Sequence, residues 1–497
     1  MPSILALDQG TTGSTALVVD QDGRVIGRGY REFTQHYPQP GWVEHDAKEI
    51  LRVSVEVMRE ALEQSRERPV GLGITNQRET AVLWDRRTLE PVGRAIVWQD
   101  RRTAGRCREL RESGVEAKLR ARTGLVADPY FTATKLEWML ADGAVRRRAE
   151  SGELAAGTVE SWLVARLTNG HVHVTDHTNA SRTLLYNLSS RSWDTELLDI
   201  FGVPRELLGD IVPSAGIVGE TARDLLGFPL PIAGLAGDQQ SALFGQGCCA
   251  DGLAKNTYGT GAFLLVYSGQ RLPSPATGVL ATAACGPAGE PAYALEGSVF
   301  IAGAAMQWLR EGLGIIGSAA ESEALARSVA DTGGVHFVPA FVGLGTPHWE
   351  PEARGTITGI TRGTNRAHLV RAGLEAMAFS SADLLDAMTG QDGSGSRGAL
   401  AVPVLRVDGG AAANDWLMQF QADVLGVPVE RPDMVETTAL GAAGLAGIAL
   451  GVWANSEEFL ARRRFQRFEP RLGGAERKAL RLGWDRAVAA ALSWARG

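Results

Sequence analysis

Ile4-Leu5-Ala6-Leu7-Asp8-Gln9-Gly10-Thr11-Thr12-Gly13-Ser14-Thr15-Ala16-Leu17-Val18-Val19-Asp20 sets two apolar runs around a short segment of Gly, Thr and Ser. Ile4–Leu7 and Ala16–Val19 read as buried strands, and the segment between them as a hairpin turn whose glycines tolerate φ > 0. Such a turn aims successive N–H groups to one side and adds hydroxyl donors, which makes an anion site without lysine. Asp8 closes the first strand, where a carboxylate can hold Mg²⁺ against bound phosphates. The segment alone fits a nucleotide-phosphate hairpin and an ordinary first hairpin equally well.

Farther along, the same theme returns. Val70–Thr75 is a short buried strand with Asn76-Gln77-Arg78-Glu79-Thr80 as its exit turn, preceded by a helix from Lys48 to about Glu67. Ala81–Trp84 and Ala95–Trp98 read as further strands, and Thr103–Glu150 as arginine-rich helices broken at Asp128-Pro129. Ile232–Ala236 runs into Gly237-Asp238-Gln239-Gln240 and a helix. A second cycle opens near Gly247: Ala254–Gly269 repeats strand, polar turn and strand through Lys255–Gly261. Val404–Val407 followed by Asp408-Gly409-Gly410 echoes Leu5–Gly10. Two halves, 1–245 and 246–497, are therefore expected as duplicated α/β domains facing across a cleft, a common ligand location. Gln391–Arg397 reads as a small flexible insertion.

With 497 residues the chain is long enough for two or more domains. A net charge of −7 argues against a general nucleic-acid or anionic-membrane binder. The N-terminus has no basic segment followed by an apolar core, so no signal peptide is expected, and a cytoplasmic setting follows. Thr437–Ala454 is too rich in Gly and Thr for a span of about 20 apolar residues and reads as a packed small-residue helix. Four cysteines without a C-x-x-C pair fit a reducing compartment.

Other motifs carry less. Gly312–Gly317 matches G-x-G-x-x-G but follows a helical pattern, so the strand that dinucleotide binding needs is missing. A Walker-type loop is absent from the sequence. His171, His173 and His177 lack further ligands for a metal and read as solvent-facing residues of a strand. Arg78-Glu79 can grip adjacent hydroxyls of a polyol or form a solvated surface pair. Asp238 can accept a proton from an attacking hydroxyl, or cap a helix.

The order D-Q-G-T-T, G-I-T-N-Q-R-E-T, W-Q-D-R-R, D-P-Y-F, T-N-A-S-R-T-L-L-Y-N, G-D-Q-Q-S-A-L-F-G-Q, N-T-Y-G-T-G, G-T-P-H-W and V-D-G-G-A-A-A-N resembles the glycerol-phosphorylating branch of the FGGY carbohydrate kinase family. The likeness runs from Leu5 to about Gly451. It implies two actin/hexokinase-like (ribonuclease H-like) ATPase domains of α/β class flanking a central cleft, with ATP and Mg²⁺ as cofactors. The implied glycerol pocket is Arg78, Glu79, Trp98, Tyr130, Asp238, Gln239 and Phe263, with Asp238 as general base. Implied nucleotide contacts are Thr11, Thr12, Gly13, Thr260, Gly303, Gln307, Gly410 and Asn414, and Asp8 is the Mg²⁺-associated carboxylate. A homodimer or homotetramer is implied as well, with glycerol as the small-molecule partner and neither nucleic acid nor stable membrane insertion. A kinase for another small polyol or ketose, and a non-catalytic nucleotide switch, are the alternatives. The chain departs from the family pattern at three places. Thr15 stands where an arginine is usual. Pro229 replaces the arginine that serves fructose-1,6-bisphosphate control in enteric members. No histidine lies between His177 and His336 to be phosphorylated as in some Gram-positive members. Neither control is expected.

Overall fold

The computed structural model describes residues 1–274, 278–390, 400–434 and 436–496; the insertion read at Gln391–Arg397 lies outside them. Its frame is a pair of mixed sheets built on one plan. In the first, β1 (Ser3–Gln9), β2 (Gly13–Asp20) and β3 (Val25–Glu32) form an antiparallel meander. Next to β1, β4 (Gly71–Asn76) runs parallel, followed by β6 (Pro231–Gly237), also parallel, and by antiparallel β5 (Ala215–Glu220). The order is β5-β6-β4-β1-β2-β3.

The second sheet repeats this plan with β7 (Ala254–Tyr258), β8 (Ala262–Gly269), β9 (Leu280–Cys285), β10 (Pro291–Val299), β11 (Leu405–Gly409), β12 (Val429–Pro432) and β13 (Phe465–Phe468). Its order is β9-β10-β8-β7-β11-β12-β13. β7, β8 and β10 are the antiparallel meander, β11 and β12 the parallel neighbours, and β13 the antiparallel edge; β9 is added outside β10.

This correspondence corrects one sequence expectation. The echo between Leu5–Gly10 and Val404–Gly410 joins strands that are not equivalent: β11 occupies the place of β4, and the counterpart of β1 is β7. A strand ending in Asp-Gly is too short a pattern to fix topology. The turns confirm the pairing, since Gly10 N–H donates to Gly13 O at 2.9 Å and Gly259 N–H donates to Gly261 O at 2.8 Å. The hairpin glycines do not adopt positive φ, as the sequence reading supposed. Gly13 is required by crowding instead: a Cβ there would sit 2.7 Å from the Arg31 carbonyl oxygen.

Helices cross between the halves. α1 (Ala47–Ser65), capped by Asp46, packs its apolar face on β2 and β3. α2 (Asp238–Gly245) follows β6 in the first half yet lies against β7, β8 and β9 of the second sheet. α6 (Thr437–Ala449) comes from the second half and covers β4 and β6 of the first sheet. A division at residue 245 in sequence is therefore interleaved in space. Small residues allow it. A Cβ on Gly73 would stand 2.1 Å from Ala442 O, and one on Gly441 would stand 1.9 Å from Ser241 O. Of the run Thr437–Ala454, Thr437–Ala449 is thus a buried packing helix that stops before Leu450, and no helix among the described residues is long and apolar enough to cross a membrane.

A smaller five-stranded sheet and the helices of residues 104–150 sit on the first domain and carry Trp98 and Tyr130 to the cleft. The strand expected over Ala95–Trp98 shortens to Ala95–Ile96. Of the three histidines only His171 is exposed as expected, and they do not share one strand. His173 lies edge-on to Trp84, its Nε2 3.2 Å from Ala156 O, and His177 opens a short helix with Nδ1 2.8 Å from the Tyr186 hydroxyl.

Gly73→Ala should destabilise the protein by about 1–3 kcal/mol through overpacking of β4 against α6. Thermal unfolding followed by circular dichroism reads this; an unchanged midpoint would show that the α6 contact yields freely.

Candidate active site

β4 ends at Asn76, and the turn that follows throws Arg78 and Glu79 into the seam between the domains. Both side chains are about 1% exposed, so the solvated-pair alternative does not hold. Glu79 takes φ +61°, a left-handed conformation costly for a residue with a Cβ. The Thr132 hydroxyl and the Lys135 ammonium hold that backbone by donating to Glu79 O at 3.1 and 3.2 Å.

Arg78 is the centre of a buried ionic network. Its guanidinium donates twice to Glu296 on β10, at 2.6 Å to Oε2 and 3.0 Å to Oε1, and to the Tyr130 hydroxyl at 3.2 Å. Its Nε lies 3.2 Å from Asp238 Oδ1. Arg182 donates to Glu79 Oε1 at 2.7 Å and to Glu296 Oε1 at 2.9 Å. Burial alone pushes the Glu296 carboxyl up, but Arg182 and Arg78 outweigh it and hold this group below the ordinary range. Arg78 and Arg182 belong to the first domain and Glu296 to the second, so the network ties the two together.

Asp238 is the first residue of α2, with Gly237 rather than Asp238 at the cap position. Its Oδ1 accepts from the Gln239 N–H at 2.7 Å and faces Arg78, while Oδ2 has no hydrogen bond among the described residues and the side chain is 26% exposed. Above this polar floor stand aromatic rings. Trp98 meets Tyr130 and Phe263 edge-to-face, with centroids 5.6 and 6.2 Å apart, and its indole N–H donates to Thr11 Oγ1 at 2.9 Å. The expected pocket residues Arg78, Glu79, Trp98, Tyr130, Asp238 and Phe263 are therefore contiguous. Gln239 joins them through Lys255, whose ammonium donates to Gln239 Oε1.

The expected nucleotide positions lie on turns and helices of the two halves. Thr11 and Thr12 lie in the β1–β2 turn and Thr260 in the β7–β8 turn, with Thr12 and Thr260 exposed. Gly303 starts α3 (Gly303–Glu311), and its N–H donates to Gly259 O at 3.0 Å, so a Cβ there would crowd that carbonyl at 2.5 Å. Gln307 pairs with Glu311 on α3. Gly410 follows β11 with open space where a Cβ would be. Asn414 caps α5 (Asp415–Leu425), its Oδ1 accepting from Leu417 N–H at 2.9 Å and its amide N–H₂ donating to Ser322 Oγ at 3.4 Å. Gln307, Gly410 and Asn414 make no contact with the Arg78 group. Asp8 is half-buried at the end of β1; burial, and then Asp238, push its carboxyl up to about 7.

Sequence reasoning missed Glu296, Arg182 and Lys255. Each is a charged residue inside an otherwise apolar or small-residue stretch, and each is completely buried. That isolation is the only local signal, because the partners lie up to 218 residues away.

Comparison with known proteins gives the context. The model for the FGGY family of carbohydrate kinases, N-terminal domain, matches residues 3–245, and that for the C-terminal domain matches 254–450. Glycerol kinase of Carboxydothermus hydrogenoformans is 53% identical over 498 residues, covering 99% of this chain and 98% of the relative. Glycerol kinase 2 of Thermotoga maritima is 52% identical, covering 99% of both. The crystal structure of Plasmodium falciparum glycerol kinase with ADP superposes with a TM-score of 0.91 at 34% identity, covering 99% of this chain and 98% of that one.

The state of Asp8 has a measurable consequence. A carboxyl whose pKa is about 7 in the fold and 3.8 when unfolded binds its proton more tightly in the fold, so its stabilising contribution is present at low pH and lost as pH rises through 7. Asp8→Asn should therefore raise the thermal midpoint of the nucleotide-free protein at pH 8 and much less at pH 5. Equal shifts at both pH values would contradict a buried, repelled carboxylate.

Proposed function

The chain belongs to the FGGY family of carbohydrate kinases, and from that premise we infer that its residues carry out ATP-dependent phosphorylation of glycerol at the interdomain cleft. The observation that carries the assignment of roles is the convergence of Arg78, Glu79 and Asp238 under an aromatic wall. A small triol needs charged partners for its hydroxyls and an apolar surface for its carbons. Arg78 and Glu79 supply the first, Trp98 and Phe263 the second.

Asp238 Oδ2, without a hydrogen bond among the described residues, takes the proton of the attacking hydroxyl, while Arg78 holds Oδ1 and so orients the carboxylate. General-base help of this type contributes about 10²–10⁴-fold. The larger share comes from positioning the hydroxyl in line with the γ-phosphate, since phosphoryl transfer asks little covalent chemistry of the protein. The matching turns Gly10–Gly13 and Gly259–Gly261, one in each domain, are proposed to receive the phosphates, with hydroxyls from Thr11, Thr12 and Thr260 and open backbone at Gly410.

The donor set fits Mg²⁺ arriving with the nucleotide: one half-buried carboxylate, Asp8, is close enough to Asp238 to feel its charge, and the ion typically takes one or two carboxylates beside substrate phosphates. Mg²⁺ bound there supplies charge neutralisation to the transferring phosphoryl group. Gly303, Gln307 and Asn414 are proposed to hold the adenosine half. The expected product is sn-glycerol 3-phosphate. Four free cysteines support a reducing, cytoplasmic setting, and a homodimer or homotetramer is the proposed assembly.

Purified protein with MgATP should release ADP rapidly with glycerol and slowly with dihydroxyacetone, xylulose, ribulose or no acceptor. Equal slow hydrolysis with all of them would remove the kinase assignment. Asp238→Asn should retain ATP affinity and lower kcat by about 10²–10⁴-fold; near-wild-type turnover would take Asp238 out of the base role.

A further inference from the structure

Only five lysines occur in the chain, and one of them, Lys255, is completely buried in the seam between the domains. It sits in β7, which pairs with β11 so that Lys255 stands opposite Arg406 and Thr257 opposite Asp408. Its ammonium donates to Gln239 Oε1 on α2 and to Thr257 Oγ1 at 2.7 Å. None of the steps above uses it.

We propose that Lys255 is a positioning residue that fixes the orientation of the Gln239 amide, so that this side chain presents only an N–H donor to the acceptor substrate. The proposal rests on the glycerol-kinase reading of the cleft and refines it. An ammonium carries three donors and no acceptor, so the amide end that faces it must be the oxygen. The Nε2 end is then directed away from Lys255, and the side chain lies beside Asp238, whose Oδ2 has no hydrogen bond among the described residues. Gln239 is 8% exposed, which leaves little room for the amide to turn by itself. The charge of Lys255 persists at neutral pH. Burial pulls its pKa down to about 8, and the positive Arg78 works in the same direction. Asp408 on β11, Asp238 on α2 and Glu296 on β10 oppose that shift.

The consequence concerns which acceptors the site takes. Glu79, a carboxylate engaged on Oε1 by Arg182, can only accept from the substrate, whereas Gln239 held by Lys255 can only donate. A hydroxyl satisfies either partner by rotating. A carbonyl satisfies Gln239 but leaves a buried group unpaired at Glu79, the kind of mismatch by which polar pockets discriminate. Lys255 thereby sets the hydrogen-bond polarity of one half of the pocket.

A double-mutant cycle tests this. Lys255→Met, which keeps length and removes the donor, should raise the KM for glycerol about tenfold, the change expected of a hydrogen-bond loss near 1.4 kcal/mol. Gln239→Ala should raise it similarly, and the double variant should be no worse than Gln239→Ala, because Lys255 acts through that amide. ADP affinity, read by calorimetry on each variant, should stay within about twofold of wild type, since the cycle leaves the phosphate turns alone. An unchanged KM in Lys255→Met, or effects that add in full, would overturn the proposal. Gln239→Glu is the second variant, used if Lys255→Met does not fold. It keeps the contact to Lys255 but removes the N–H donor, so its glycerol KM should rise, and a wild-type value would overturn the proposal. If the wild-type protein itself is not stimulated by glycerol, it is the substrate reading that fails and not the Lys255–Gln239 coupling.

Discussion

The bidentate pair between Arg78 and Glu296 is the interaction on which the rest of the cleft depends. Both side chains are removed from water, one on each domain. Taking such a pair out of water is costly, and its net stabilisation is small or negative next to an apolar replacement; removing one member of a buried pair, by contrast, costs about 3–5 kcal/mol. The arrangement is therefore poor as a way of gluing two domains together and well suited to a site that must bind hydroxyls. Two guanidinium groups face three carboxylates here, engaging both oxygens of Glu296, Oε1 of Glu79 and Oδ1 of Asp238. The oxygens left without a hydrogen bond among the described residues, Glu79 Oε2 and Asp238 Oδ2, are the ones the proposed substrate contacts and proton transfer use.

The twin sheets explain why this network can lie between domains. Each sheet presents a hairpin turn and a parallel-strand end to the seam, and the two plans face one another. α2 and α6 are exchanged across the seam, and a glycine on one side of each close crossing, Gly441 against Ser241 and Gly245 against Thr437, lets backbone approach backbone. Asp238 is consequently attached to a strand of one domain and to a helix resting on the sheet of the other. A relative rotation of the domains would be felt at Asp238 directly, which suits an enzyme that must exclude water before transferring a phosphoryl group.

Much of this could be read from the sequence, and the reasons for what could not are physical. Apolar runs that stop at Asp8, Asn76 and Gly237 located β1, β4 and β6, because a buried strand that ends on the functional seam carries polar residues at its tip; β7, with Lys255, Asn256 and Thr257 in it, reads instead as a polar turn, although the structure makes Ala254–Tyr258 a strand and confines the turn to Gly259–Gly261. Asp8, Arg78-Glu79 and Asp238 stood out for the same reason. Glu296, Arg182 and Lys255 did not. A single charge within an apolar strand says that a partner exists but not which one, and here the partner is on another domain. The false echo between Leu5–Gly10 and Val404–Gly410 has a related origin: local pattern records strand ends, whereas equivalence is decided by pairing. Gly13 was assigned conformational freedom when its actual constraint is the Arg31 carbonyl, and close approach between strands leaves no mark in one-dimensional spacing.

The account is tested most directly by a crystal structure of the protein with glycerol and a non-hydrolysable ATP analogue. It predicts glycerol in contact with Arg78, Glu79 and Asp238, its carbon face against Trp98 and Phe263, the Arg78–Glu296 pair intact, and the phosphates on the two hairpin turns. Glycerol bound elsewhere, or a cleft whose Arg78–Glu296 pair opens when the ligands enter, would contradict it.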